Sequence, residues 1–179
     1  VAGMTARALS TLLAQARAHR SLIIEDDYDS EFRYDGPPLA AMQGLTLDAP
    51  VIYLGTFSKT MFPALRIAYM VVPRTLLQPL QALLGKNYPS GRVVEQTCLA
   101  KFIREGYFSL HVRRMRRLYQ QRRDCLLHLL HLHLGDLVEI QGESAGMHLS
   151  LCFRDQSVDD LACSQRLLTA GIVAPALSV

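Results

Sequence analysis

Val51-Ile-Tyr-Leu-Gly-Thr-Phe-Ser-Lys-Thr60, with Pro63 and Arg66 close behind, is the stretch that decides the fold. A β-branched and aromatic run, 51–54, ends at Gly55. Thr56, Ser58 and Lys59 are therefore expected in the loop that leaves the carboxyl end of a buried strand, where ligands of open α/β sheets gather. A second strand of the same kind, 22–25, empties into Asp26-Asp27-Tyr28. Asp26 precedes Lys59 by 33 residues, about one crossover between neighbouring parallel strands. Side chains alternate along an extended chain, so Asp26 and Tyr28 share a face and Asp27 points away.

A lysine amine, a buried acid, a phenol and a guanidinium on adjacent strand ends are the parts that a pyridoxal phosphate site requires. That cofactor is an electron sink, and the protein's share is to position it and tune its electronics. A lysine holds its aldehyde as a Schiff base, the role that fits Lys59. An acid beside the ring nitrogen keeps that nitrogen protonated, because a nearby opposite charge favours the charged form; Asp26 suits this. Tyr28 supplies a phenol near the ring oxygen. Thr56, Ser58 and Arg66 offer the hydroxyls and the planar fork that a phosphate dianion favours.

Ile23-Ile-Glu-Asp-Asp-Tyr-Asp-Ser-Glu-Phe-Arg-Tyr-Asp-Gly36 followed by Gly55-Thr-Phe-Ser-Lys-Thr-Met-Phe-Pro-Ala-Leu-Arg-Ile-Ala-Tyr69 resembles fold-type I aminotransferases. More narrowly, it is similar to the aminotransferase-like domain of MocR-type regulators of the GntR family. Gln96, Phe102-Ile-Arg-Glu-Gly-Tyr-Phe108, His111-Val-Arg-Arg-Met-Arg116, Tyr119, Arg122-Arg-Asp124, Gly146-Met-His-Leu149 and Gly171-Ile-Val173 extend the resemblance over nearly the whole chain. One departure is Ala68, where that family usually carries glycine. The resemblance implies an effector domain that senses a small amine or amino acid through the lysine Schiff base. It also implies a homo-oligomer, with DNA contacted only through a winged-helix domain outside these residues. Two rival readings use the same residues: a class I/II aminotransferase with full turnover, and a non-catalytic oligomerisation fragment.

The chain has 179 residues, half of them hydrophobic, and a net charge of +3. Those values describe an ordinary globular protein. No run of 18 or more apolar residues appears, so a membrane span is not expected. Cys98, Cys125, Cys152 and Cys163 lack paired spacing and lie in apolar patterns, which reads as buried free thiols in the cytoplasm. Fold-type I domains are about twice this long. The sequence therefore reads as a fragment, in which pyridoxal phosphate binding is weak or absent although the intact protein binds it.

The expected fold class is α/β, with a mostly parallel sheet flanked by helices and a smaller α+β C-terminal lobe. Residues 1–108 are read as part of the large cofactor-binding domain, and 109–179 as a long linking helix and the small lobe, both incomplete. Thr5 caps a helix to about 19, and a break at Gly36-Pro-Pro38 precedes a helical turn at 40–43. A strand follows at 66–72, helices at 76–84, 93–104 and 109–134, and a loop at 85–92. The remaining elements are strands at 138–141, 147–153 and 172–174 and a helix at 158–169.

Six arginines fall between positions 113 and 123. Val112, Met115, Tyr119, Leu126 and Leu130 follow the spacing of a buried stripe, which places the arginines on a solvated or partner-facing side rather than against DNA. His128, His131 and His133 lack the companions of a zinc site and are read as surface residues. Asp29, Glu31 and Asp35 are read as solvated loop charges.

Overall fold

The computed structural model describes residues 5–35, 40–87, 92–143 and 146–178. The expected break at 36–38 and residues 88–91 of the expected loop lie outside the described residues. Contacts divide the chain into two compact units, 1–121 with 144–147, and 122–143 with 148–179.

In the first unit, helix α1 (Ala6–Ala18) begins at Thr5, whose hydroxyl accepts the Ala8 amide at 3.3 Å. Its apolar stripe buries Leu13 and Ala16. Leu13 packs with Ala49, Val51, Ile23 and Met42 beneath the sheet. That sheet has three strands, β1 (Ile23–Asp27), β2 (Val51–Thr56) and β3 (Ala68–Val71), in the order β1-β2-β3. Strands β1 and β2 are parallel, with Asp26 opposite Leu54 and Asp27 opposite Gly55. Both strands run past the expected ends, so Asp26, Asp27, Gly55 and Thr56 belong to the ladder.

The third strand departs from a uniformly parallel order: β3 returns antiparallel, with Thr56 opposite Ala68. The connection, 57–67, holds only a 3₁₀ turn at Pro63–Leu65 and no crossover helix. An antiparallel return needs no such crossover. It also brings the chain back to the sheet end it left, so Lys59 and Arg66 emerge beside the carboxyl ends of β1 and β2.

Helices α2 (Arg74–Asn87), α3 (Val93–Arg104) and α4 (Tyr107–Leu134) follow. Leu99 of α3 packs with Leu65 and Ile67, and Phe57 and Met61 close that cluster, so the lysine loop sits on a core of its own. Among α4's expected inner residues, Val112 is buried, whereas Leu126 is exposed.

The second unit contains an antiparallel pair, β4 (Val138–Gln141) and β5 (Ser150–Phe153), and helix α5 (Asp160–Thr169). Asp159 caps α5 by accepting the Ala162 amide at 3.0 Å. Strand β5 begins three residues later than expected, and 172–174 form no strand. An extended apolar run needs a ladder partner, and among the described residues this sheet has only its two strands. Among the described residues of this unit Val138 is the buried apolar one, while Leu137, Leu161 and Leu168 are exposed.

The cysteines are free, as expected, but Cys98, Cys125 and Cys152 are exposed rather than buried. No helix is long and apolar enough to cross a membrane, and no metal-binding cluster forms among the described residues.

Candidate functional site

Burial alternates along β1, with Glu25 and Asp27 partly covered while Ile24, Asp26 and Tyr28 are exposed. The covered carboxylates are committed. Glu25 accepts the amides of Met42 and Gln43 at 2.9 and 3.2 Å, holding the turn Met42–Gly44. Asp27 accepts the Tyr53 hydroxyl at 2.8 Å and the Ser30 amide at 3.1 Å. Burial first, and then the Asp27 carboxylate and Tyr69, push the Tyr53 phenol well above the usual tyrosine range. Tyr53, Tyr69, Phe57 and Phe108 form a chain of ring contacts 5.3–6.0 Å apart. The Tyr69 ring lies so close over Gly55 that a β-carbon there would overlap it.

The opposite face differs. The side chains of Asp26 and Tyr28 there, and those of Lys59 and Arg66 in the 57–67 loop, make no hydrogen bond or ion pair among the described residues. All four are exposed and emerge at the same end of the sheet. Asp26 is not the buried acid that a strand-end position suggested, because no described residue covers that part of the sheet.

The lysine loop is hydrogen-bonded around an exposed amine. Lys59 stands between Ser58 and Thr60, which is 1% exposed. The Thr56 hydroxyl accepts the Ser58 amide at 3.1 Å and reaches the Ile67 carbonyl at 3.4 Å, so it shapes the turn. Arg66 has φ 48°, ψ 40°, a left-handed conformation that costs a non-glycine residue about 1–2 kcal/mol. The burial of Leu65 and Ile67 on either side holds it there.

The loop after Tyr28 is also fixed, which corrects the expectation that Asp29 and Glu31 are merely solvated. Asp29 accepts the Met147 amide at 3.3 Å, and the Phe32 carbonyl accepts the Gly146 amide at 2.9 Å. Gly146 has φ +83°, and a β-carbon there would sit 2.8 Å from Asp29 Oδ2. Both constraints require glycine. The segment Gly146-Met147, legible in the sequence only as a family match, thus clasps the loop after Tyr28. Burial raises the Glu31 carboxyl above its usual range against the hydrogen bond to its own backbone, with Asp27 and Asp29 adding to the rise and Arg116 opposing it more weakly. Phe32 is fully buried edge-on to Tyr119, with ring centroids 5.2 Å apart.

An α/β sheet whose strand ends present an acid, a phenol, a lysine and an arginine defines a fold-type I transferase domain. Residues 3–179 match the family of class I and II aminotransferases, and the chain belongs to it. The chain is 45% identical over 152 residues to the probable rhizopine catabolism regulatory protein MocR of Rhizobium meliloti, covering 84% of this chain and 30% of that protein. It is 43% identical over 148 residues to the HTH-type transcriptional regulator YhdI of Bacillus subtilis, covering 83% and 32%. The structure superposes on a Pyrococcus horikoshii kynurenine aminotransferase, solved with PMP, at a TM-score of 0.84 and 27% identity, covering 95% of this chain and 42% of that one. The chain therefore spans about a third of the length of these curated relatives.

Proposed function

We propose that the chain is part of the pyridoxal-phosphate-binding effector domain of a bacterial MocR-type transcription regulator, responding to a small amine or amino acid. One observation carries the reading. The four side chains that such a cofactor needs are the uncommitted ones at the sheet end, while the neighbouring carboxylates Glu25 and Asp27 are spent on structure. The donor set fits the cofactor in charge and type. Relatives at 41–45% identity named as regulators point to regulation rather than metabolic turnover.

When bound, the cofactor supplies an electron sink for bonds at an amine's α-carbon. Lys59 would attach its aldehyde carbon and afterwards carry a proton to or from the α-carbon. Asp26 would keep a proton on the ring nitrogen, since an ionised carboxylate favours the adjacent cation. Tyr28 would donate to the ring oxygen. Ser58 and Arg66 would hold the phosphate, and Thr56 would support them by fixing the turn that presents the Ser58 amide and hydroxyl. An amine that takes the place of Lys59 would release the lysine as its neutral ε-amine, able to accept a proton, and a ligand with unequal affinity for two states of the domain shifts their populations. In this reading residues 1–108 hold the cofactor and 109–179 form the linking helix and smaller lobe. The whole protein would be a cytoplasmic homo-oligomer that reaches DNA through a separate winged-helix domain.

The test uses the full-length protein. With pyridoxal phosphate it should turn yellow, and borohydride followed by peptide mapping should place the cofactor on Lys59. Effector amines should then change operator affinity. Labelling at Lys86 or Lys101 instead would refute the site.

A further inference from the structure

Three cationic or ring-nitrogen side chains outside the cofactor set donate to main-chain carbonyls of the two loops that carry it. His111 Nε2 of α4 lies 2.9 Å from the carbonyl oxygen of Thr60, the residue after Lys59. Arg92 Nη1, at the start of α3, donates to the carbonyl of Leu65 at 3.0 Å, the residue before Arg66. Arg116 Nε of α4 donates to the carbonyl of Glu31 at 2.8 Å, three residues beyond Tyr28. Each bond falls within three positions of a candidate cofactor residue, yet none uses that residue's own side chain. A carbonyl oxygen only accepts, so His111 must carry its proton on Nε2, which both the neutral Nε2-protonated tautomer and the imidazolium do.

We propose that His111, Arg92 and Arg116 are positioning residues that fix the lysine loop and the post-β1 loop by their main-chain carbonyls, leaving Lys59, Arg66 and Tyr28 free for the cofactor. The proposal rests on the cofactor reading of the site. Its physical basis is that a reactive amine held loosely loses the orientation on which attachment and proton transfer depend. A side chain that must stay uncommitted cannot anchor its own loop, so the anchor has to grip the adjacent backbone. Arg66 shows the need most plainly, because its left-handed conformation must be held from outside. His111 and Arg116 sit five residues apart on one helix, about 7.5 Å along its axis. A single rigid element thus sets the register of one loop against the other. The arginines of the 113–123 cluster accordingly serve different ends. Arg116 turns inward to the Glu31 carbonyl, whereas Arg113, Arg114 and Arg117 remain exposed.

Hydrogen exchange on the full-length protein without cofactor tests the anchoring by itself. The amides of Phe57 and Met61 report the lysine loop, that of Leu65 its far end, and that of Phe32 the other loop, since each donates within its own loop. His111→Leu should speed exchange at Met61 roughly fivefold to tenfold, the loss expected for one hydrogen bond, while His111→Gln restores the donor and the rate. Arg116→Met should speed exchange at Phe32 by roughly tenfold or more, as fits a charged donor, and leave Met61 unchanged. Arg92→Met should act at Leu65. Uniform acceleration that includes the β2 ladder, or no acceleration at any of these amides, would overturn the anchoring. Titration with pyridoxal phosphate then tests the site. His111→Leu should bind it about tenfold more weakly, with His111→Gln near the parent; equal affinity in all three would overturn the positioning role even if the loops loosen. Failure of the parent itself to bind the cofactor would refute the functional reading and leave the exchange result standing separately.

Discussion

The two faces of the three-stranded sheet carry neighbouring residues of one sequence and treat them in opposite ways. On one face Glu25, Asp27, Tyr53 and Tyr69 are joined to turns, to each other and to Phe57. On the other, Ile24 is 67% exposed, Met70 is 43% exposed, and Asp26 has no partner among the described residues. Strand alternation separates two adjacent aspartates into a structural acid and an available one. Commitment, rather than residue type, therefore marks the candidate chemistry, and the contrast can be broken by substitutions that act on one face only.

The largest effect belongs to the uncommitted lysine of the loop after β2. Lys59→Ala in the full-length protein should abolish borohydride-fixed cofactor completely. Stability should stay within about 0.5 kcal/mol, as expected for an exposed residue. Cofactor fixed at the parental level in that variant would end the assignment.

Exchanging the two aspartates in turn is the sharpest comparison. Asp26→Asn should slow α-proton exchange of a bound amine by roughly three decades, through loss of the ionic partner of the ring nitrogen. Its urea midpoint should hardly move. Asp27→Asn should instead lower stability by about 1.5–3 kcal/mol, because it weakens a charged acceptor shared by Tyr53 and the Ser30 amide. Interchanged outcomes would show that Asp27 serves the ring.

Gly55→Ala tests the closed face from within. Its added methyl meets the Tyr69 ring, so the chain should lose about 1–3 kcal/mol by overpacking. Tyr69→Ala removes the obstacle, and the double variant should be less destabilised than the sum of the two. Strict additivity, read from denaturant midpoints, would mean that the ring does not cross the strand there.

The sequence made the strand-end pattern legible, because a short β-branched run closed by glycine and a family-like lysine motif are both local signals. Alternation alone also separated Asp26 from Asp27. What stayed hidden was every long-range bond: Asp29 to Met147, Arg116 to Glu31 and His111 to Thr60 span 118, 85 and 51 residues. Periodicity sorts residues onto faces but cannot say which carbonyl a particular face will meet. The return of β3 was hidden for a related reason, since strand direction depends on whether a crossover element forms, not on the strand's own composition. The run at 172–174 had the composition of a strand but found no ladder to join.

The smallest predicted effect tests the border between the faces. Glu31 follows the open strand, yet its carboxyl is half-buried and feels the charges of Asp27 and Asp29, with Arg116 opposing them. Burial is the main reason its folded pKa lies above 4.5, with the two aspartates adding to it. A folded protein that holds the proton more tightly than the unfolded chain is fully stabilised below the unfolded pKa and loses that stability as pH rises through the folded value. Glu31→Gln keeps the shape and the carbonyl that Arg116 grips but removes the ionisation. The variant should therefore equal the parent near pH 4 and be modestly more stable at pH 7, as read from urea midpoints at the two values. A variant less stable than the parent at pH 7 would mean that the hydrogen bond to the Glu31 backbone and the attraction of Arg116 together outweigh burial, and that the ionised carboxylate helps to hold this loop.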